Sequence, residues 1–192
     1  AVNAAQSTWH EETGFRWASL EVPVAGRVGF TPLSAGATGL SFTNVLSESS
    51  IAANRVLANG SGVAVGDFDN DGLPDIYLCG LESPNALYKN LGNWKFANVA
   101  PERNVECAGK LCRGAVFADI NGDRSLDLLV STVNDGVLCF VNDGNGTFSD
   151  ATVQAGTRSP YAAMTMTLAD IDGNGTLDLY VSNNRPDDIR DL

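Results

Sequence analysis

The chain has 192 residues, 44% of them apolar and 18% charged, enough apolar content for one buried core and too much for a disordered chain. Its 12 Lys and Arg against 23 Asp and Glu leave a formal charge of −11, which speaks against a phosphate-reading nucleic-acid partner and against anionic lipid. No apolar run approaches the roughly 20 residues of a membrane-spanning helix, and 20 glycines amid many Asn and Asp punctuate the chain as short strands require.

The chain opens at Ala1 with no basic-plus-apolar leader, so a secretion signal is expected to have been removed or never to have existed. Residues 1–38, with Pro23, Pro32 and several glycines, are expected to form an extended N-terminal arm. In it His10 reads as a solvated residue rather than a metal ligand or proton carrier. Trp9 and Trp17, with Trp94 further on, read as packing aromatics rather than a sugar platform. Phe42–Val45 is expected to be a strand, and Val45–Leu57 has room for one short helix. Apolar runs bounded by Gly, Asn, Asp or Pro then predict strands near Gly62–Gly66, Ile76–Cys79, Ala86–Lys89 and Lys95–Val99. Four more are expected near Ala115–Ala118, Leu126–Thr132, Val137–Val141 and Thr147–Ala151, and two near Met164–Ala169 and Leu177–Ser182.

These strands belong to an internal repeat. Val63–Leu78, Ala115–Val130 and Met166–Val181 align on Asp67, Asp119 and Asp170, which are 52 and 51 residues apart. Phe42-Thr-Asn-Val45, Phe96-Ala-Asn-Val99 and Phe148-Ser-Asp-Ala151 keep nearly the same period, and Leu87-Tyr-Lys-Asn90 aligns with Cys139-Phe-Val-Asn142. Four strands per repeat of about 50 residues is the arithmetic of a β-propeller blade. The expected fold is therefore all-β, a partial propeller of four-stranded antiparallel blades, about two and a half in this chain. Closure protects sheet edges, so the remaining blades are expected from a longer chain or from neighbouring subunits. The early strand at Phe42–Val45 would then be the fourth strand of a closing blade.

Each repeat carries a nine-residue polar loop. The first offers Asp67, Asp69, Asp71 and Asp75 at positions 1, 3, 5 and 9, with the Leu73 carbonyl at position 7. The second offers Asp119, Asn121, Asp123, the Ser125 carbonyl and Asp127. The third offers Asp170, Asp172, Asn174, the Thr176 carbonyl and Asp178. Ten of the 23 acidic residues stand in these loops, where they would repel one another without a cation. Hard oxygen donors in this number suit Ca²⁺ better than Mg²⁺, giving up to three ions. Metal-free acidic turns are the alternative, since Asp-Gly and Asn-Gly turns are common between strands; the threefold recurrence favours metal. In the second loop Arg124 holds position 6, where glycine turns most easily, so that site is expected to be the poorest. An EF-hand is excluded: position 12 is Leu78, Val130 or Val181 rather than Glu, and strands flank each loop.

The Gly-x-Asp-x-Asp-x-Asp-Gly-x-x-Asp core between apolar strands resembles the FG-GAP/VCBS repeat of integrin-type β-propellers. The Phe-x-Asn-Val and Leu-Tyr-Lys-Asn-Leu-Gly signatures are similar to those of bacterial proteins that carry such repeats ahead of an ASPIC/UnbV domain, although no such domain is visible. The resemblance covers residues 39–192. It implies an extracellular, cell-surface or periplasmic location, calcium in each loop, and a role in binding or adhesion.

Four cysteines, Cys79, Cys107, Cys112 and Cys139, allow three full pairings. A Cys107–Cys112 disulfide is one reading of their close spacing and two free thiols the other; zinc is disfavoured with a single histidine. Asn59-Gly-Ser61, Asn145-Gly-Thr147 and Asn174-Gly-Thr176 match the glycosylation acceptor pattern. No nucleophile elbow and no phosphate-binding glycine loop occurs. The leading expectation is a secreted, non-enzymatic, calcium-binding propeller segment for binding, adhesion or assembly, with a protein or carbohydrate ligand. The alternatives are part of a propeller-based polysaccharide lyase or hydrolase with its active site outside this chain, or a lectin.

Overall fold

Short apolar runs separated by Gly, Asn and Asp turns satisfy their backbone groups most directly by pairing with the next run along the chain. That pairing dominates the computed structural model, which describes residues 9–19 and 30–184. The chain divides into two units, Ala1–Pro32 and Leu33–Leu192.

In the first unit β1 (Trp9–Glu12) and β2 (Phe15–Ala18) pair antiparallel around Gly14, whose φ of 87° only glycine adopts freely. A hairpin thus stands where an extended arm was expected. His10 stacks on Trp17 with ring centroids 4.2 Å apart, and the Arg16 guanidinium lies 4.9 Å from the Trp9 ring centre. Both tryptophans thus pack within the hairpin, as expected of packing aromatics, while remaining exposed to solvent. Pro23 lies outside the described residues.

The second unit begins with α1 (Ala35–Thr38) and α2 (Glu48–Ala53), the latter continued by a 3-10 turn at Arg55–Asn59. Ser34 and Ser47 cap the two helices by accepting from the Ala37 and Ser50 amides, and Ser47 explains why the expected short helix starts where it does. Phe42–Val45 forms no strand, contrary to expectation. A fourth strand needs the first three strands of its blade beside it, and among the described residues none pair with it. The segment instead docks on the turn after the first hairpin: the Leu81 amide donates to Asn44 Oδ1 and the Glu82 amide to the Val45 carbonyl.

Two four-stranded antiparallel meanders follow. The first runs β3 (Val63–Gly66), β4 (Asp75–Leu78), β5 (Ala86–Asn90), β6 (Phe96–Asn98) and ends in α3 (Ala100–Arg103). The second runs β7 (Cys112–Ala118), β8 (Asp127–Thr132), β9 (Val137–Asn142), β10 (Phe148–Asp150) and ends in α4 (Thr152–Ala155). A third hairpin pairs β11 (Ala162–Ala169) with β12 (Asp178–Asn184). Strand β3 lies against β7, and β7 against β11. The described residues of the second unit thus form two whole propeller blades and half of a third.

The core fills the gaps between blades. Phe68, Tyr77, Leu87, Val105, Leu128, Val130 and Phe140 join the first and second blades, while Leu129, Val137 and Ala163, with Met166, Leu179 and Val181 against them, join the second and third. Strand β8, in the middle blade, is buried at all six positions, whereas β4 in the first blade alternates buried and half-buried. The outer faces of the end blades remain open: Val63 and Val65 of β3 and Tyr180 of β12 are exposed.

No disulfide joins the four cysteines in this structure, where Cys107 and Cys112 stand as neighbouring thiols. Cys107, at φ 49°, directs its sulfur to Tyr77 Oη and the Val105 carbonyl, both at 3.6 Å. The Cys112 thiol interacts with it from the core side, holding Cys107 below the ordinary thiol range and pushing Cys112 well above it. Burial pushes Cys79 up to about 12.

Candidate metal centre

The three acidic loops close the first hairpin of each blade at one register. Gly66 pairs with Asp75, Ala118 with Asp127, and Ala169 with Asp178, so each ninth-position aspartate sits on the first strand residue after its loop. Positions 4 and 6 both take the left-handed conformation in every copy: Asn70 and Gly72, Gly122 and Arg124, Gly173 and Gly175. Arg124 adopts φ 73° and keeps the backbone path of its two glycine counterparts, at the steric cost an L side chain meets there.

The same hydrogen bonds recur in each loop. The first aspartate accepts from the fifth and sixth amides: Asp71 and Gly72 donate to Asp67, Asp123 and Arg124 to Asp119, Asn174 and Gly175 to Asp170. The fifth side chain accepts from the seventh amide, Leu73 to Asp71, Ser125 to Asp123 and Thr176 to Asn174, at 2.8–2.9 Å. The ninth aspartate accepts from the second amide, Phe68 to Asp75, Ile120 to Asp127 and Ile171 to Asp178. Aspartate is needed at positions 1 and 9 because only a short acceptor with two oxygens can reach back to these amides.

The ninth aspartates of the whole blades are also anchored by the third strand. Asn90 N donates to Asp75 Oδ1 at 2.7 Å and Asn142 N to Asp127 Oδ1 at 2.8 Å. Both are fully buried. Burial pushes the Asp75 carboxyl up to about 6 against these backbone donors, and raises Asp127 for the same reason.

Among the described residues two trios of carboxylates bring oxygens within 4.8 Å of one another: Asp67, Asp69 and Asp71, and Asp170, Asp172 and Asp178. Asp75 lies outside the first trio. The second loop forms no such trio: Asn121 stands at position 3, and its amide donates to Asp123 Oδ2 at 2.9 Å. Asp69 Oδ1 is buried and has no hydrogen-bond partner. An orphaned buried carboxylate oxygen is costly unless a cation meets it, so the first trio fits a hard metal ion.

One residue of this site escaped the sequence reading. Lys89 of β5, which in the sequence is only part of a repeat signature, bonds Asp71 Oδ2 at 2.7 Å and Asp69 Oδ2. Its pairing holds the Asp71 carboxyl below the ordinary range. The only legible signal was that the aligned residue of the second blade is Val141, which carries no charge.

The expected secondary contributors divide. Trp94 is 71% exposed in the turn between β5 and β6, so it is no packing aromatic. Asn174 of the third acceptor pattern is engaged within its own loop, accepting from Thr176 N and Oγ1.

The FG-GAP-like repeat pattern matches this chain twice, at residues 67–130 and 119–181. Each match starts at the first aspartate of one loop and runs through the next. A curated relative, cartilage acidic protein 1 of Xenopus tropicalis, is 28% identical over 127 residues, which take in 65% of this chain and 20% of that protein. The chain therefore spans about a fifth of that relative's length. The repeated loops, their common register and the doubled match agree, and the chain belongs to the FG-GAP-like repeat family.

Proposed function

We propose that this chain is the calcium-stabilised part of a secreted β-propeller that serves binding, adhesion or assembly and carries no catalytic site. The observation that supports calcium is the single hydrogen-bond template of the three loops, which in the first and third gathers carboxylate oxygens within 4.8 Å of one another: Asp67, Asp69 and Asp71, and Asp170, Asp172 and Asp178. In this reading Asp67, Asp69, Asp71, Asp75 and the Leu73 carbonyl would hold the first ion. Asp119, Asn121, Asp123, Asp127 and the Ser125 carbonyl would hold the second. Asp170, Asp172, Asn174, Asp178 and the Thr176 carbonyl would hold the third. Oxygen-only donor sets of this size accommodate the loose shell of Ca²⁺ more readily than the strict octahedron of Mg²⁺. The role of such ions is to tie each first hairpin shut, which fixes the blade edges on which a protein ligand would dock.

The exposed outer faces of β3 and β12 support completion of the ring by further blades, from a longer chain or a neighbouring subunit. Exposed Trp94 favours a carbohydrate ligand as the second reading, tested by quenching of its fluorescence across a glycan panel. Export would place the protein outside the cell or at its surface.

A cation that binds only the folded state stabilises it by mass action. Excess chelator should therefore lower the melting temperature, and Ca²⁺ should restore it better than Mg²⁺. A melting curve unmoved by chelator would refute the calcium reading.

A further inference from the structure

The three loops share a backbone, but their charge environments differ. The first holds four carboxylates, the second and third three each. Ligand charge count alone would make the first site the tightest. Yet the first loop is the one that already holds a cation: the Lys89 ammonium reaches across from β5 to Asp69 and Asp71. Among the described residues no ion pair joins the second or third loop. Val141 stands at the Lys89 position of the second blade, and the third blade has no third strand among the described residues.

The pair is no loose surface contact. The side chains of Lys89 and Asp69 are 25% and 12% exposed, and the preceding strand residues Leu87 and Tyr88 are buried. An ammonium satisfies the two oxygens it reaches but leaves Asp69 Oδ1 buried and without a partner. A divalent ion with six to eight ligand positions would satisfy all of them. Metal and lysine therefore compete for the same two carboxylates.

We propose that Lys89 is a built-in counter-cation of the first loop, which a divalent ion must displace, so that this loop fills after the third despite its extra carboxylate. This rests on the calcium reading of the loops. A second consequence follows: without metal the first loop stays tied by Lys89, while the third, with nothing to offset Asp170, Asp172 and Asp178, loosens first.

The test is a Ca²⁺ titration of the 192-residue chain followed by amide NMR, with Gly72 and Gly175 reporting the first and third loops. In the wild type Gly175 should shift at lower Ca²⁺ than Gly72. Lys89→Met should lower the Gly72 midpoint by about tenfold, the effect of removing one partly buried competing charge, and leave Gly175 in place. Lys89→Arg, which keeps the charge, should leave the Gly72 midpoint weak. Should the Met variant fold poorly, Lys89→Gln gives the same readout with a polar side chain. A Gly72 midpoint already below that of Gly175 in the wild type would overturn the proposal, as would a neutral variant whose midpoint stays within a factor of two. If no loop shifts by about 10 mM Ca²⁺, the weak end of extracellular sites, the calcium reading itself fails and this inference with it.

Discussion

Asn142 offers the sharpest test of how the blades support the loops. Its side chain is buried between the first and second blades and makes four hydrogen bonds. Nδ2 donates to the Phe68 carbonyl at 2.6 Å, inside the first acidic loop, and to the Leu126 carbonyl at 3.0 Å, inside the second. Oδ1 accepts from Gly144 and Gly146, both at 3.1 Å, which fixes the turn that packs on Phe68. A Cβ on Gly146 would stand 2.6 Å from the Phe68 ring, so the turn has no room to move inward. Asn142→Ala removes all four bonds and leaves the two carbonyls and two amides to find other partners. At about 1 kcal/mol net per bond, the loss is about 3–4 kcal/mol, a large share of a typical native stability of roughly 5–15 kcal/mol. For a protein of this size each kcal/mol moves the melting temperature by about 2–4 °C, so a fall of about 6–16 °C is expected. The equivalent residue of the first blade, Asn90, makes only two side-chain bonds, to the Pro74 carbonyl and from Gly92 N, in a more open setting. Asn90→Ala should therefore cost about half as much, about 2 kcal/mol or less. Urea and thermal melts followed by circular dichroism would measure both. Equal losses for the two variants would refute the claim that the inter-blade bonds of Asn142 carry the difference.

Three further outcomes are expected. Cys107, half-buried and held below the ordinary thiol range by Cys112, should be alkylated before Cys79, Cys112 and Cys139, which peptide mass mapping after brief iodoacetamide treatment would show. Arg124→Gly should raise stability by about 0.5–1 kcal/mol, because it relieves a left-handed L residue at φ 73°; a destabilised variant on a melting curve would count against that account. Glu82, which accepts from Ser47 N and from the Ser47 and Ser50 hydroxyls, has its carboxyl held below its ordinary value of 4.5, chiefly by Ser50 and then Ser47. A depressed folded pKa contributes stability that is complete above the unfolded value and is lost as pH falls through the folded one. The melting temperatures of wild type and Glu82→Gln should then differ near neutral pH and converge well below pH 4.5; a gap that persists in acid would exclude the carboxylate as its source.

The ten strands of the repeats were legible in the sequence to within a few residues, because each is a short apolar run ended by a turn that only Gly, Asn or Asp makes easily. The loops were equally legible, since a pattern of reach-back acceptors at positions 1, 5 and 9 serves its own backbone and needs no distant partner. Local chemistry of that kind repeats wherever the sequence repeats. What depends on neighbouring strands did not show. Phe42–Val45 has the signature of a strand but no sheet to join, so it docks through Asn44 instead. Lys89 meets Asp69 and Asp71 only because β5 lies beside β4, which brings residues 18 and 20 positions apart into contact. The second residue of each loop shows the same division most simply: Phe68 is fully buried under the next blade's Gly146 turn, whereas Ile171, equally apolar in an equivalent loop, is 70% exposed because no described blade follows it. The sequence determined the hairpins and their acidic turns through interactions within a few residues. The tertiary structure alone decided which apolar faces are covered and which carboxylates meet a cation, because both depend on what an adjacent strand or blade places across the gap.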